Sequence, residues 1–145
     1  MTQNIVSFSD ATIKQSGKVI LSDVSLDVPQ GSFIFLIGRT GSGKSSLIRT
    51  IYGDLALAGG LGSVGDFDLT RLKSKDIPKL RRTLGVVFQD FKLLPDRNIG
   101  DNLKFVLKAT GWRDKKKIDE KINRVMEMVG LSVNFKKDRK STRLN

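Results

Sequence analysis

The chain has 145 residues, a formal net charge of +11, 39% hydrophobic and 28% charged residues, the balance of a globular domain long enough to bury a core. No apolar run approaches the ~20 residues of a membrane-spanning helix, and the opening segment lacks the basic and apolar stretches of a secretory signal. The absence of cysteine excludes disulfides, thiolate metal sites and thiol catalysis, and the absence of histidine excludes His-dependent triads.

Residues 5–8 and 24–28 alternate apolar and polar side chains and predict two strands, with Gly17 supplying the turn between them and Pro29, Gln30 and Gly31 closing the second. Phe33, Ile34, Phe35, Leu36 and Ile37 form an unbroken apolar run between Gly31 and Gly38, the pattern of a strand buried on both faces in a parallel sheet. Beyond the glycine-rich segment that follows it, Leu47, Ile48, Ile51 and Tyr52 fall at helical spacing and Gly53 marks a stop. Residues 58–62 read as a flexible glycine-rich stretch, and residues 84–88 as a second buried strand ending in Gln89 and Asp90. From about Ile99 the period becomes helical. Leu103, Val106 and Leu107 share a face up to Gly111, and Asp114 caps a further helix carrying Ile118, Ile122, Val125, Met126 and Val129 before Gly130. These apolar residues, Met126 included, read as core. The order predicts an α/β domain with a helical segment appended after the second buried strand.

The chemistry concentrates in Gly38, Arg39, Thr40, Gly41, Ser42, Gly43, Lys44 and Ser45, which match G-x-x-x-x-G-K-[ST] at every fixed position. Glycines let successive backbone N–H groups turn inward as an anion-binding nest, and the helix beginning there adds the positive end of its dipole. Lys44 is placed to reach β- and γ-phosphates, and the Ser45 hydroxyl to complete the shell of a Mg²⁺ ion that keeps most of its waters. Ser46 completes the predicted binding segment. The motif lies directly after a buried-strand pattern and directly before a helical one, as the mechanism requires. ATP with Mg²⁺ is the expected ligand.

Three stretches carry a resemblance that covers about residues 5–137: residues 33–46; Thr70, Arg71, Leu72 and Lys73 with residues 77–82; and residues 85–97, from Gly85 through Val87, Phe88, Gln89, Asp90 and Phe91 to Arg97. With them the chain resembles the nucleotide-binding domain of ABC ATPases, a P-loop NTPase fold. The extension from Gln89 to Arg97 is closest to the cell-division branch of that family. The resemblance implies an ATPase that works as a homodimer, peripheral to the cytoplasmic face of a bacterial inner membrane, with an FtsX-like integral membrane protein as partner. It makes Gln89 the Q-loop glutamine, contacting Mg²⁺ and the attacking water, tasks that suit an amide able to accept and donate. Phe91, Leu93, Leu94 and Pro95 then either meet the membrane partner or belong to the core of a helical subdomain beginning near residue 91. The family usually stacks an aromatic residue on adenine near the end of the first strand; Thr12, Ile13, Lys14 and Gln15 stand there instead, leaving Ile13 or the stem of Lys14 as cover and implying weaker or less selective base binding.

The Leu-Ser-Gly-Gly signature, the Walker-B aspartate with its glutamate, and the switch histidine of such ATPases do not occur in these 145 residues. The expectation is a domain truncated before those elements and inactive in hydrolysis by itself. Residues 138–145 back-translate as GAT CGG AAG AGC ACA CGT CTG AAC, which resembles a sequencing-adapter read, so this tail is expected to be non-native.

Charge offers a rival, non-enzymatic reading. Residues 1–70 carry five basic and six acidic side chains, whereas residues 71–145 carry twenty-one and nine. Such a basic half suits nucleic acid, an anionic membrane surface or a nucleotide. Few aromatics lie among the basic residues, which weighs against a single-strand-binding platform and favours a partner other than nucleic acid.

Overall fold

A computed structural model describes residues 3–90 and 92–131, so Phe91 and the tail at 138–145 lie outside the described residues. The chain divides into two compact units, residues 1–85 and 86–145. The division falls ahead of Gln89, where the sequence expectation puts it near residue 91.

The first unit is built on a four-stranded antiparallel sheet. Its strands are β1 (Asn4–Gln15), β2 (Lys18–Pro29), β3 (Leu57–Val64) and β4 (Phe67–Asp68), in the order β2-β1-β3-β4. The two predicted strands are thus present and much longer than their alternation indicates. The reason lies in β1: Val6 and Phe8 are buried, and so are Ala11 and Ile13, so the buried set changes parity in mid-strand. Register shifts between Phe8 and Ala11 accommodate the change. Asp10 has φ of 48°, and its N–H donates to Ser25 Oγ at 3.2 Å. Asp23 on β2 and Gly60 on β3 also have positive φ, the mark of bulges that add a residue and flip the face. Between β1 and β2, Ser16 and Gly17 both have positive φ, the requirement of a tight hairpin turn.

The glycine-rich stretch at 58–62 is strand β3 rather than a flexible segment. Its glycines permit close approach to β1. A Cβ at Gly60, whose φ is +74°, would lie 2.2 Å from Asp10 O, and one at Gly62 would lie 2.9 Å from the Phe8 ring.

Helix α1 (Lys44–Ile51) joins the core of this sheet through Leu47, with Ile51 packed against it and Thr50 buried. It ends at Gly53 as expected: the Gly53 N–H donates to Thr50 O and the Asp54 N–H to Arg49 O, the paired bonds of a glycine-terminated helix. Helix α2 (Ile77–Arg82), which the periodicity did not reveal, adds fully buried Leu80 to the same core. Its Arg81 returns to the end of α1, donating to Tyr52 O at 3.0 Å and reaching Asp54 at 3.6 Å.

Both predicted buried strands fail to form. Residues 33–37 have no regular secondary structure, and Phe33, Phe35 and Ile37 are 82%, 75% and 87% exposed. Residues 84–88 are likewise irregular, with Val87 88% exposed, although Leu84 packs on the core of the first unit. A strand apolar on both faces needs ladder partners along its edges and cover above and below; no strand of the described sheet pairs with either segment.

The second unit contains helices α3 (Ile99–Ala109) and α4 (Lys115–Met128). Ile118, Ile122 and Met126 are buried and pack with Leu103 and Leu107, as the helical period predicts, whereas Val106 and Val129 are exposed. Asp114 caps α4 by accepting from the Lys116 and Lys117 N–H groups, and Gly130 ends it with φ of 72°.

Gly60→Ala is expected to destabilise the first unit by about 2–4 kcal/mol, because it combines left-handed strain with a backbone clash. Gly65→Ala, also at positive φ but with open space around it, serves as the control at about 1 kcal/mol. Urea unfolding followed by circular dichroism separates the two.

Candidate functional site

The site is made by the backbone where the chain leaves the irregular segment 33–37 and enters α1. Gly41 and Gly43 have φ of 81° and 92°, conformations open to glycine, and they turn the chain through the loop. The Ser42 N–H donates back to Arg39 O at 3.1 Å, closing the loop on itself. The first backbone bond into α1 is made by Leu47, whose N–H donates to Gly43 O at 3.0 Å. Lys44, Ser45 and Ser46 precede it in the first turn, and no side chain caps them. A helix start with its N–H groups left free of a side-chain cap fits an anion.

Lys44 crosses the loop. Its ammonium donates to Gly38 O and Arg39 O, both at 2.7 Å, and lies 3.4 Å from Ser42 Oγ. An ammonium has three protons; two make strong bonds to carbonyls that fix its position, and the third is held only by the long contact to Ser42 Oγ, the one a ligand can displace. A Cβ at Gly38 would lie 2.8 Å from Ser42 Oγ, so a larger residue there would push the Ser42 hydroxyl from its place. Arg39, Thr40, Gly41, Ser42 and Ser45 are exposed. The Ser45 hydroxyl, a hard oxygen in the first turn, fits Mg²⁺.

Two sequence expectations change here. Ser46 is buried and its hydroxyl donates to Gln15 Oε1 at 3.3 Å, so its side chain serves the sheet, and its backbone N–H is what it offers a ligand. Ile13 is fully buried in the core and does not reach a base; of the two cover residues considered, Lys14 alone is exposed.

Gln89 lies in an exposed turn of the second unit. Its neighbour Asp90 accepts a hydrogen bond from Lys92, the ammonium lying 2.6 Å away, which holds that carboxyl below its usual range. Leu93 and Pro95 are exposed and Leu94 is half-buried, so Leu93 and Pro95 are not core of this unit. The shape of their loop is set by a residue that the sequence did not single out. Asn102 Oδ1 accepts from the Leu94 N–H at 2.8 Å, while its amide nitrogen lies 3.1–3.2 Å from the carbonyls of Leu94, Arg97 and Asn98. Arg97 stacks over Phe105 at 5.1 Å, holding the far end of the loop to α3.

The family model described as ABC transporter matches residues 21–144. Among curated proteins, the cell division ATP-binding protein FtsE of Streptococcus pneumoniae is 36% identical over 129 residues, covering 88% of this chain and 56% of the relative. FtsE of Mycobacterium tuberculosis is 38% identical over 119 residues, 82% of this chain and 51% of the relative. The methionine import ATP-binding protein MetN 1 of Acinetobacter baylyi is 37% identical over 112 residues, 77% of this chain and 31% of that protein. The chain therefore spans about half the length of the FtsE relatives it matches. Among solved structures, the ATP-binding cassette MJ0796 in a dimeric post-hydrolysis state bound to ADP and Pi superposes with a TM-score of 0.74 at 24% identity, covering 90% of this chain and 59% of that one. At this identity the likeness speaks to the fold.

Replacing Lys44 by Ala is expected to weaken ATP binding by about 1.5–3 kcal/mol, the range for a hydrogen bond to a charged group. Isothermal titration of the full-length protein with and without the substitution measures it; unchanged affinity would remove Lys44 from the site.

Proposed function

The chain belongs to the ABC transporter family, and we propose that it is the nucleotide-binding part of an ATPase that drives a membrane partner in bacterial cell division. The observation carrying the nucleotide reading is the Lys44 ammonium fixed at 2.7 Å by both Gly38 O and Arg39 O above an uncapped helix start.

Residues 38–45 and the Ser46 N–H bind the phosphates of ATP. Lys44 supplies a fixed positive charge to the β- and γ-phosphates, and the exposed Ser45 hydroxyl is one ligand for Mg²⁺. Mg²⁺ held there would supply positive charge to offset that of the phosphates. Gln89 is the amide suited to orient the attacking water. Hydrolysis requires, in addition, the signature, Walker-B and switch residues that the family resemblance implies and that residues 1–145 do not contain. The active enzyme is a homodimer, peripheral to the cytoplasmic face of the inner membrane.

Similarity to FtsE and the segment from Gln89 to Arg97 support a role in division with an FtsX-like membrane protein. The exposed Leu93 and Pro95, on a loop held by Asn102, are suited to meeting that partner. The 37% identity to a methionine import protein favours one alternative, the ATPase of an importer.

Depletion of the full-length protein in its host is expected to give unseparated or elongated cells, rescued by the wild type and not by Lys44→Ala. Growth restored by added methionine, with normal division, would favour the importer instead. The 145-residue chain alone is expected to release phosphate from ATP at background rate, and turnover within about tenfold of the full-length enzyme would refute the need for the further elements.

A further inference from the structure

The β1–β2 hairpin meets the phosphate loop at two points. A Cβ built on Gly43 would lie 2.7 Å from Leu21 Cγ and 2.8 Å from Leu21 Cδ2, so the Leu21 side chain fills the space a larger residue would take there. Leu21 is the cross-strand partner of Ile13, a fully buried residue, and it packs against the core of the unit. Slightly further along α1, buried Ser46 donates to Gln15 Oε1 at 3.3 Å from the last residue of β1.

We propose that Leu21 and Gln15 are positioning residues of the phosphate loop, bracing Gly43 and Ser46 so that Lys44 and Ser45, which lie between them, are in place before a phosphate chain arrives. The proposal rests on the nucleotide reading above. Gly43 sets the direction in which the loop enters α1, at φ of 92° and ψ of 0°. Glycine visits many other conformations at little steric cost, so its own chemistry does not hold it there. A branched side chain anchored in the core and filling the space beside it does. Gln15 fixes the next part of the same turn from the neighbouring strand. Removing either brace leaves every phosphate-contacting group intact and makes the ligand bear the ordering of the loop, which lowers affinity.

The test uses the full-length protein with Leu21→Ala, Leu21→Met and Gln15→Ala, titrated calorimetrically with inorganic tripolyphosphate and with ATP. Leu21→Ala is expected to weaken both probes by the same factor, about tenfold, and Leu21→Met to stay within about twofold of wild type. Gln15→Ala is expected to cost about threefold, as one hydrogen bond would. In a Lys44→Ala background the Leu21→Ala effect on ATP should shrink below about twofold, because the brace acts through Lys44. Leu21→Ala protein that melts earlier yet binds both probes as wild type does would overturn the proposal, as would a loss for ATP without one for tripolyphosphate. If Leu21→Ala does not fold, Gln15→Ala decides, and unchanged affinity there overturns the brace. Wild-type protein that binds neither probe refutes the nucleotide reading itself.

Discussion

Two carbonyl oxygens, those of Gly38 and Arg39, hold the Lys44 ammonium at 2.7 Å each, and the phosphate loop takes its form from that contact. A cation with two fixed acceptors stays at the mouth of the loop instead of sweeping through solvent. Its neighbours are consistent with this: Ser42 bonds back to Arg39, Gly38 leaves room for Ser42, and Gly43 turns the backbone into α1. The helix start is left without a side-chain cap, so its first N–H groups are available to water or to an anion.

The sheet beneath serves this loop through its irregularities. A regular β1 would bury one parity of residue throughout. The bulge at Asp10 shifts the buried set from Val6 and Phe8 to Ala11 and Ile13, and Gly60 on the neighbouring strand admits the Asp10 carbonyl. Downstream of that bulge, Ile13 faces the core opposite Leu21, and Gln15 reaches Ser46. The second unit uses a comparable economy of contacts: one carboxamide, Asn102, meets one N–H and lies near three carbonyls of the loop that follows Gln89.

The candidate loop was legible in sequence because its spacing is dictated by backbone geometry: fixed glycines, one lysine, one serine and a helix start. The helices of the second unit were legible for a similar reason, since Ile118, Ile122 and Met126 recur at a helical period and Asp114 and Gly130 punctuate them. What stayed hidden depends on partners distant in sequence. Strand β3 looks like a linker until Gly62 is seen to lie under Phe8. The bulges break the alternation that reveals strands, and α2 is too short to show a period. Segments 33–37 and 84–88 have the composition of buried strands, but a ladder is a property of two segments, and no described strand pairs with them. Leu21 and Asn102 carry no motif; only contact shows what they do.

The bare apolar run at 33–37 also bears on how such a protein comes off the ribosome. The strand ahead of it, β2, pairs with β1 through a tight hairpin, a local contact of the kind that closes early, whereas β3 beyond it pairs with β1 across a long loop, Val6 with Val64 and Ile13 with Leu57. Phe33, Phe35 and Ile37 have no such neighbour and stand in water, with the Phe33 and Phe35 rings T-shaped, their centroids 5.0 Å apart. A nascent chain in this condition presents a short, charge-free, aromatic and β-branched peptide, the kind of segment that self-associates and that chaperones exist to shield. The same five residues that lead into the loop of Lys44 therefore make its synthesis a period of exposure.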